Sequence, residues 1–142
     1  MTFTEQYVAL TMAMLNADGK QEPEEIEVIK QVALNLDLNK DEVETLIIAE
    51  VVNPKKLEKV ARSVKKKADA ELLMEACVEV ALADKYIDHR EINMLLSIAS
   101  WMKLQPSKAV LAIATFAQND RSILIEGNAT LHTDEEVEVE ED

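Results

Sequence analysis

Apolar residues recur at helical spacing through most of this 142-residue chain. Between residues 3 and 16, Phe3, Tyr7, Val8, Leu10, Met14 and Leu15 make a stripe broad enough for a buried helix. Asn16-Ala17-Asp18-Gly19 breaks it, and Gly19 suits a left-handed turn. Pro23 then fits the first position of a second helix, with Ile26, Ile29, Val32, Ala33 and Leu36 turned inward. Asn39 reads as the cap of a third helix reaching about Val52, through Val43, Leu46, Ile47 and Val51.

A fourth helix is expected over residues 54–68. Leu57, Val60, Ala61, Val64 and Ala68 give it a narrow apolar stripe, and Lys55, Lys56, Lys59, Arg62, Lys65, Lys66 and Lys67 cover the remainder. Helical periodicity returns over 69–83, 89–102 and 106–118, with Pro106 near a helix start. Past Phe116 the pattern fails. Ser122-Ile123-Leu124-Ile125 reads as a short extended or docked segment, and Thr133 to Asp142, almost all acid, as disordered.

The chain also repeats itself. Ala17-Asp18-Gly19-Lys20-Gln21-Glu22-Pro23-Glu24-Glu25-Ile26 returns 66 residues later as Ala83-Asp84-Lys85-Tyr86-Ile87-Asp88-His89-Arg90-Glu91-Ile92. Beyond it Ile29 aligns with Leu95, Val32 with Ile98, Ala33 with Ala99, Leu36 with Met102 and Leu38 with Leu104. The expectation is an all-α fold of about seven helices: two pseudosymmetric three-helix halves, about 3–52 and 69–118, joined by the basic linker helix. One helical domain spans 1–121, and 122–142 is an acidic tail.

The duplicated acids have two readings. Asp18, Glu22 and Glu25, and again Asp84, Asp88 and Glu91, stand at a loop, a helix entrance and the first helical turn. Carboxylates so placed can converge on a hard cation, Ca²⁺ or Mg²⁺ before Mn²⁺ or Zn²⁺. The last acid falls at position 8 rather than 12, so this is no EF-hand. The other reading is capping: Asp88-x-x-Glu91 satisfies a capping box, and acids are favoured at helix N-termini. A single site shared by two symmetry-related loops is a third arrangement.

Composition narrows the remainder. Only two glycines and one cysteine occur, so Cys77 has no internal disulfide partner and suits a reducing cytoplasm. No apolar run reaches membrane-spanning length, and Glu5 with no base before it argues against a secretory signal. The net charge is −13, but residues 1–121 hold 15 bases against 20 acids, so much of the acidity is in the tail. Nucleic acid is therefore not an expected partner. His89 reads as an exposed helix-start residue, His132 as solvated, and Trp101 as packing. Glu71, Glu75 and Glu79 share a helical face without the Glu-x-x-His of a di-iron bundle. No phosphate loop, nucleophile elbow or zinc cluster is present, and an enzyme is not expected. The basic helix suits an anionic membrane surface, an acidic partner, or the chain's own acidic tail at low salt.

The doubled Ala-Asp-x-x-x-[Glu/Asp]-x-x-Glu-Ile pattern resembles the tellurite resistance TerB family over roughly residues 3–118. That resemblance implies an all-helical fold of two pseudosymmetric halves in a cytoplasmic bacterial protein, with the possibility of peripheral contact at the inner face of the membrane. It implies metal binding by Asp18, Glu22, Glu25, Asp84, Asp88 and Glu91, and action in stress-response assemblies near membrane partners. Related domains stand at the N-terminus of membrane-anchored DnaJ-like co-chaperones, which leaves a protein-interaction adaptor as the alternative role. The departure from the pattern is Lys85 where the first copy has Gly19; it disfavours a tight turn and adds charge beside the second acid set.

Overall fold

The computed structural model describes residues 1–17 and 23–126. The expected all-α fold is what they form: seven helices and a two-residue strand pair. The order is α1 (Phe3–Asn16), α2 (Pro23–Asn35), α3 (Lys40–Val52), α4 (Leu57–Arg62), α5 (Lys67–Ala81), β1 (Tyr86–Ile87), α6 (His89–Trp101), α7 (Pro106–Asn119) and β2 (Leu124–Ile125).

Helices α1 and α5 lie against each other at the centre. Each is buried around most of its circumference: Tyr7, Val8, Leu10, Met12 and Met14 on α1, and Leu73, Met74, Cys77, Val78 and Val80 on α5. The remaining helices wrap this pair. Helices α2, α3 and α4 pack on α1, while α6, α7 and α2 pack on α5. Polar atoms inside are paired. Tyr7 donates its hydroxyl to the Ile29 carbonyl at 2.6 Å, and Thr11 donates to the Tyr7 carbonyl at 2.7 Å. Burial pushes the Cys77 thiol up to about 12, so at neutral pH it is an inert core group.

Local signals set the helix ends. Thr2 accepts from the Glu5 amide while Glu5 accepts from the Thr2 amide, a reciprocal cap on α1. Asn39 caps α3 through the Glu42 amide at 2.8 Å. Helices α2 and α6 end alike. In one, Leu38 donates to the Ala33 carbonyl and Asp37 to Leu34; in the other, Leu104 donates to Ala99 and Lys103 to Ser100. These are Schellman closures, and both place a non-glycine residue in the left-handed region, Asp37 at φ 61° and Lys103 at φ 64°.

Two expectations are corrected. The linker over 54–68 is not one helix: α4 holds only Leu57–Arg62, and Val64 to Lys66 are non-helical before α5 starts at Lys67. Ser63 closes α4 by donating its hydroxyl to the Val60 carbonyl at 2.6 Å. Continuing the helix would stack Lys59, Arg62, Lys65 and Lys66 at i, i+3 and i+4, where like charges repel, whereas the break lets Val64 enter the core. On α3, Val51 is not inward but exposed, as are Ile48 and Val52.

Because lysine tolerates the left-handed region less well than aspartate does, Lys103→Gly is expected to gain about 1 kcal/mol in urea denaturation. Asp37→Gly should gain less. Loss of stability in both variants would contradict the assignment of these closures.

Candidate functional site

The second acidic loop leaves α5 at Ala81 and turns through Lys85, whose φ of 66° is left-handed despite its side chain. This is the turn that glycine would ease and that Lys85 was expected to disfavour; the loop forms nonetheless. Asp84 accepts the Tyr86 amide at 3.1 Å, stabilising the turn. The Lys85 carbonyl accepts the Leu124 amide at 2.7 Å, and the Lys85 ammonium pairs with Asp120.

Residues 120–126 thus strap onto the loop. Strands β1 and β2 are parallel, Tyr86 opposite Leu124 and Ile87 opposite Ile125. The Glu126 amide donates to the Ile87 carbonyl at 2.8 Å. The Glu126 carboxylate accepts the His89 amide at 2.6 Å and lies 2.7 Å from His89 Nδ1. An anion at the first turn of α6 is favoured by the exposed amides there, and the His89 amide holds Glu126 below the usual carboxylate range. The segment expected to be extended or docked is therefore docked, on the loop between α5 and α6.

Asp88 and Glu91 form the reciprocal cap of α6. Asp88 Oδ1 accepts the Glu91 amide at 3.0 Å, and Glu91 Oε1 accepts the Asp88 amide at 3.1 Å. Asp88 Oδ2 takes the Arg90 guanidinium at 2.8 Å. Burial opposes ionisation of Asp88, but the Glu91 amide and Arg90 outweigh it and hold its carboxyl below the ordinary range.

A shared hard cation needs several carboxylate oxygens aimed at one point. Asp84 Oδ1, Asp88 Oδ1 and Glu91 Oε1 each accept a backbone amide, and Asp88 Oδ2 takes Arg90. Among the described residues no three of His, Cys, Asp and Glu stand so as to hold a metal ion. Of the first set, Glu25 is half-buried in the first turn of α2, while Asp18 and Glu22 lie outside the described residues, as does the tail beyond Glu126.

The basic residues of the linker are all exposed but not equivalent. Lys55 pairs with the buried Glu50 at 2.9 Å and Arg62 with Glu58 at 2.7 Å. Lys65 donates to the Arg62 carbonyl. Lys56, Lys59 and Lys66 form no ion pair among the described residues. The break after α4 folds part of this charge around a cavity of about 180 Å³, lined by Arg62, Val64, Lys65, Lys67, Trp101, Met102, Lys103 and Leu104. Four cations and Trp101 line it, with no acid. Sequence reasoning missed Lys103 and read Trp101 as packing alone. The only available signal was their position at the end of α6, which faces the linker solely through the fold.

The family model for tellurite resistance protein TerB matches residues 4–114. Comparison with curated proteins gave no match, and comparison with solved structures gave none.

Calorimetric titration with Ca²⁺, Mg²⁺, Mn²⁺ and Zn²⁺ is expected to give the same heats for wild type and Asp84→Ala. Heats lost in the variant would place a cation at the second loop. The strap should be acid-sensitive. Asp120 is held at about 2 by the Lys85 ammonium and then by Ser122, and Glu126 is also lowered. Both are charged in the docked state, so their contribution is complete above the ordinary values, 3.8 and 4.5, and is lost as pH falls through the lowered ones. NOE contacts between Tyr86 and Leu124 should persist near pH 5 and fade from about pH 4 towards about 2; NOEs unchanged at pH 2 would contradict this.

Proposed function

The chain belongs to the tellurite resistance TerB family, and on that premise we propose a non-enzymatic helical interaction module whose basic face engages an anionic surface. Its setting is a bacterial tellurite or chemical stress response, in an assembly near membrane partners. The observation supporting this reading is the cavity that Arg62, Lys65, Lys67 and Lys103 line together with Trp101, with no acid in the lining.

The physics follows from that arrangement. Four like charges around a small concavity raise the local potential, and an anionic group entering it relieves their mutual repulsion. Arg62, paired on one side with Glu58, and the lysines supply positive charge, and Trp101 supplies an amphipathic ring suited to an interface between water and lipid. Phosphate or carboxylate on a membrane surface or an acidic partner matches this chemistry. With a net charge of −13 on the molecule, contact is local, not global. In this reading the acids of the second copy serve the fold, building the loop that places α6 and therefore Trp101 and Lys103. No helix of the described residues is long and apolar enough to cross a membrane.

Co-sedimentation with phosphatidylglycerol vesicles, set against phosphatidylcholine vesicles, tests the proposal. Binding to the anionic vesicles is expected at low salt. It should weaken at about 0.15 M salt, where the Debye length is about 8 Å. It should be abolished by Lys65→Glu/Lys66→Glu/Lys67→Glu and weakened by Lys103→Glu alone. Reversals that leave binding unchanged would overturn it.

A further inference from the structure

The two central helices are not covered alike. Aligned at the 66-residue offset, Glu5, Gln6, Val8 and Ala9 of α1 correspond to Glu71, Leu72, Met74 and Glu75 of α5. On α1 this face is closed. Helix α4 lies against it, Gln6 donates to the Ser63 hydroxyl at 3.0 Å, and Gln6 is only 6% exposed. On α5 the matching Leu72 is 43% exposed and Glu75 is also open to solvent.

A cleft of about 530 Å³ runs beside that open face, between α5 and α7. Its apolar lining includes Met74, Leu104, Ala112 and Phe116, and Leu111 stands 66% exposed at its edge. Glu71 and Glu75 are its acids. Lys108 pairs with Glu71 at 3.0 Å, and Glu75 forms no ion pair among the described residues. Glu79, one turn further along α5, is shifted upward by burial and then by the negative charge of Glu75. A cation arriving here would meet uncompensated charge.

The chain shows what such a face accepts. Helix α4 presents Leu57, Val60 and Ala61 at i, i+3 and i+4, Val64 enters the core just after the helix ends, and Lys55 before it pairs with the buried Glu50 of α3. We propose that the α5–α7 cleft is the docking site for a short amphipathic helix of the same kind, apolar on one face and lysine-bearing on the other, supplied by another protein. The chain's own α4 is already packed on α1. Residues 126–142 carry eight acids and no base, the wrong charge for Glu71 and Glu75.

The test uses the full-length protein and a labelled synthetic peptide of residues 53–67 added in trans, followed by fluorescence anisotropy. Saturable binding is expected, weakened about tenfold or more by Glu75→Lys and by Leu111→Glu, both at exposed positions, with helical circular dichroism unchanged. Lys103→Glu should leave it intact, which separates this cleft from the basic cavity. A peptide of the same composition with the apolar spacing scrambled should not bind. The proposal is overturned if wild type does not bind, if both cleft variants bind as wild type does, or if the scrambled peptide binds equally.

Discussion

The fold depends on one contact, that between α1 and α5. Both helices are buried around most of their circumference, with Leu72 and Glu75 of α5 left towards solvent, so each needs cover on several sides. The two meet at the centre, and every other helix lies where it closes one of their remaining sides. Core substitutions here, such as Leu73→Ala, remove atoms that no surface adjustment replaces. At the periphery one amphipathic face per helix suffices, and α3 leaves Ile48, Val51 and Val52 in solvent.

Covering this pair also explains the surfaces left for partners. Helix α4 breaks after Arg62 because its lysines repel along a helix while Val64 gains by burial. The same break bends the basic segment around Trp101 and Lys103. The strap at 120–126 follows α7 but turns to the α5–α6 loop, held there by β-pairing, the Lys85–Asp120 pair and Glu126 at the start of α6. It consequently does not lie over the α5–α7 cleft, and α5 keeps an open face that its counterpart lacks.

Helix positions were legible because each depends on a period and a cap near in sequence. Phe3–Asn16, Pro23–Asn35 and Lys40–Val52 begin and end where the apolar stripe, Pro23 and Asn39 place them. What was not legible required distant residues or atypical ones. Asp37, Lys85 and Lys103 all adopt positive φ, and no glycine marks them. The partner of Leu124 and Ile125 lies 38 residues earlier in the chain, beyond any local pattern. The acids of the second copy carried two meanings in the sequence, since a cap and a ligand set ask for the same residue types at the same offsets. In the fold one oxygen of each is turned to a backbone amide, those of Tyr86, Glu91 and Asp88. For Trp101 the apolar period gave a packing residue; it is half-buried, and the four cations beside it were not legible.

We propose that the working surface is the basic cavity at the α4–α5 break, with the acidic loop serving the fold. Backbone-amide NMR of the full-length protein, titrated in parallel with short-chain phosphatidylglycerol and with CaCl₂, tests it most directly. The lipid is expected to move the amides of Lys65, Lys67, Trp101 and Lys103, and Ca²⁺ to leave those of Asp84 to Glu91 in place. A saturable Ca²⁺ response centred on Asp84, Asp88 and Glu91, with no lipid response at Trp101 and Lys103, would contradict it.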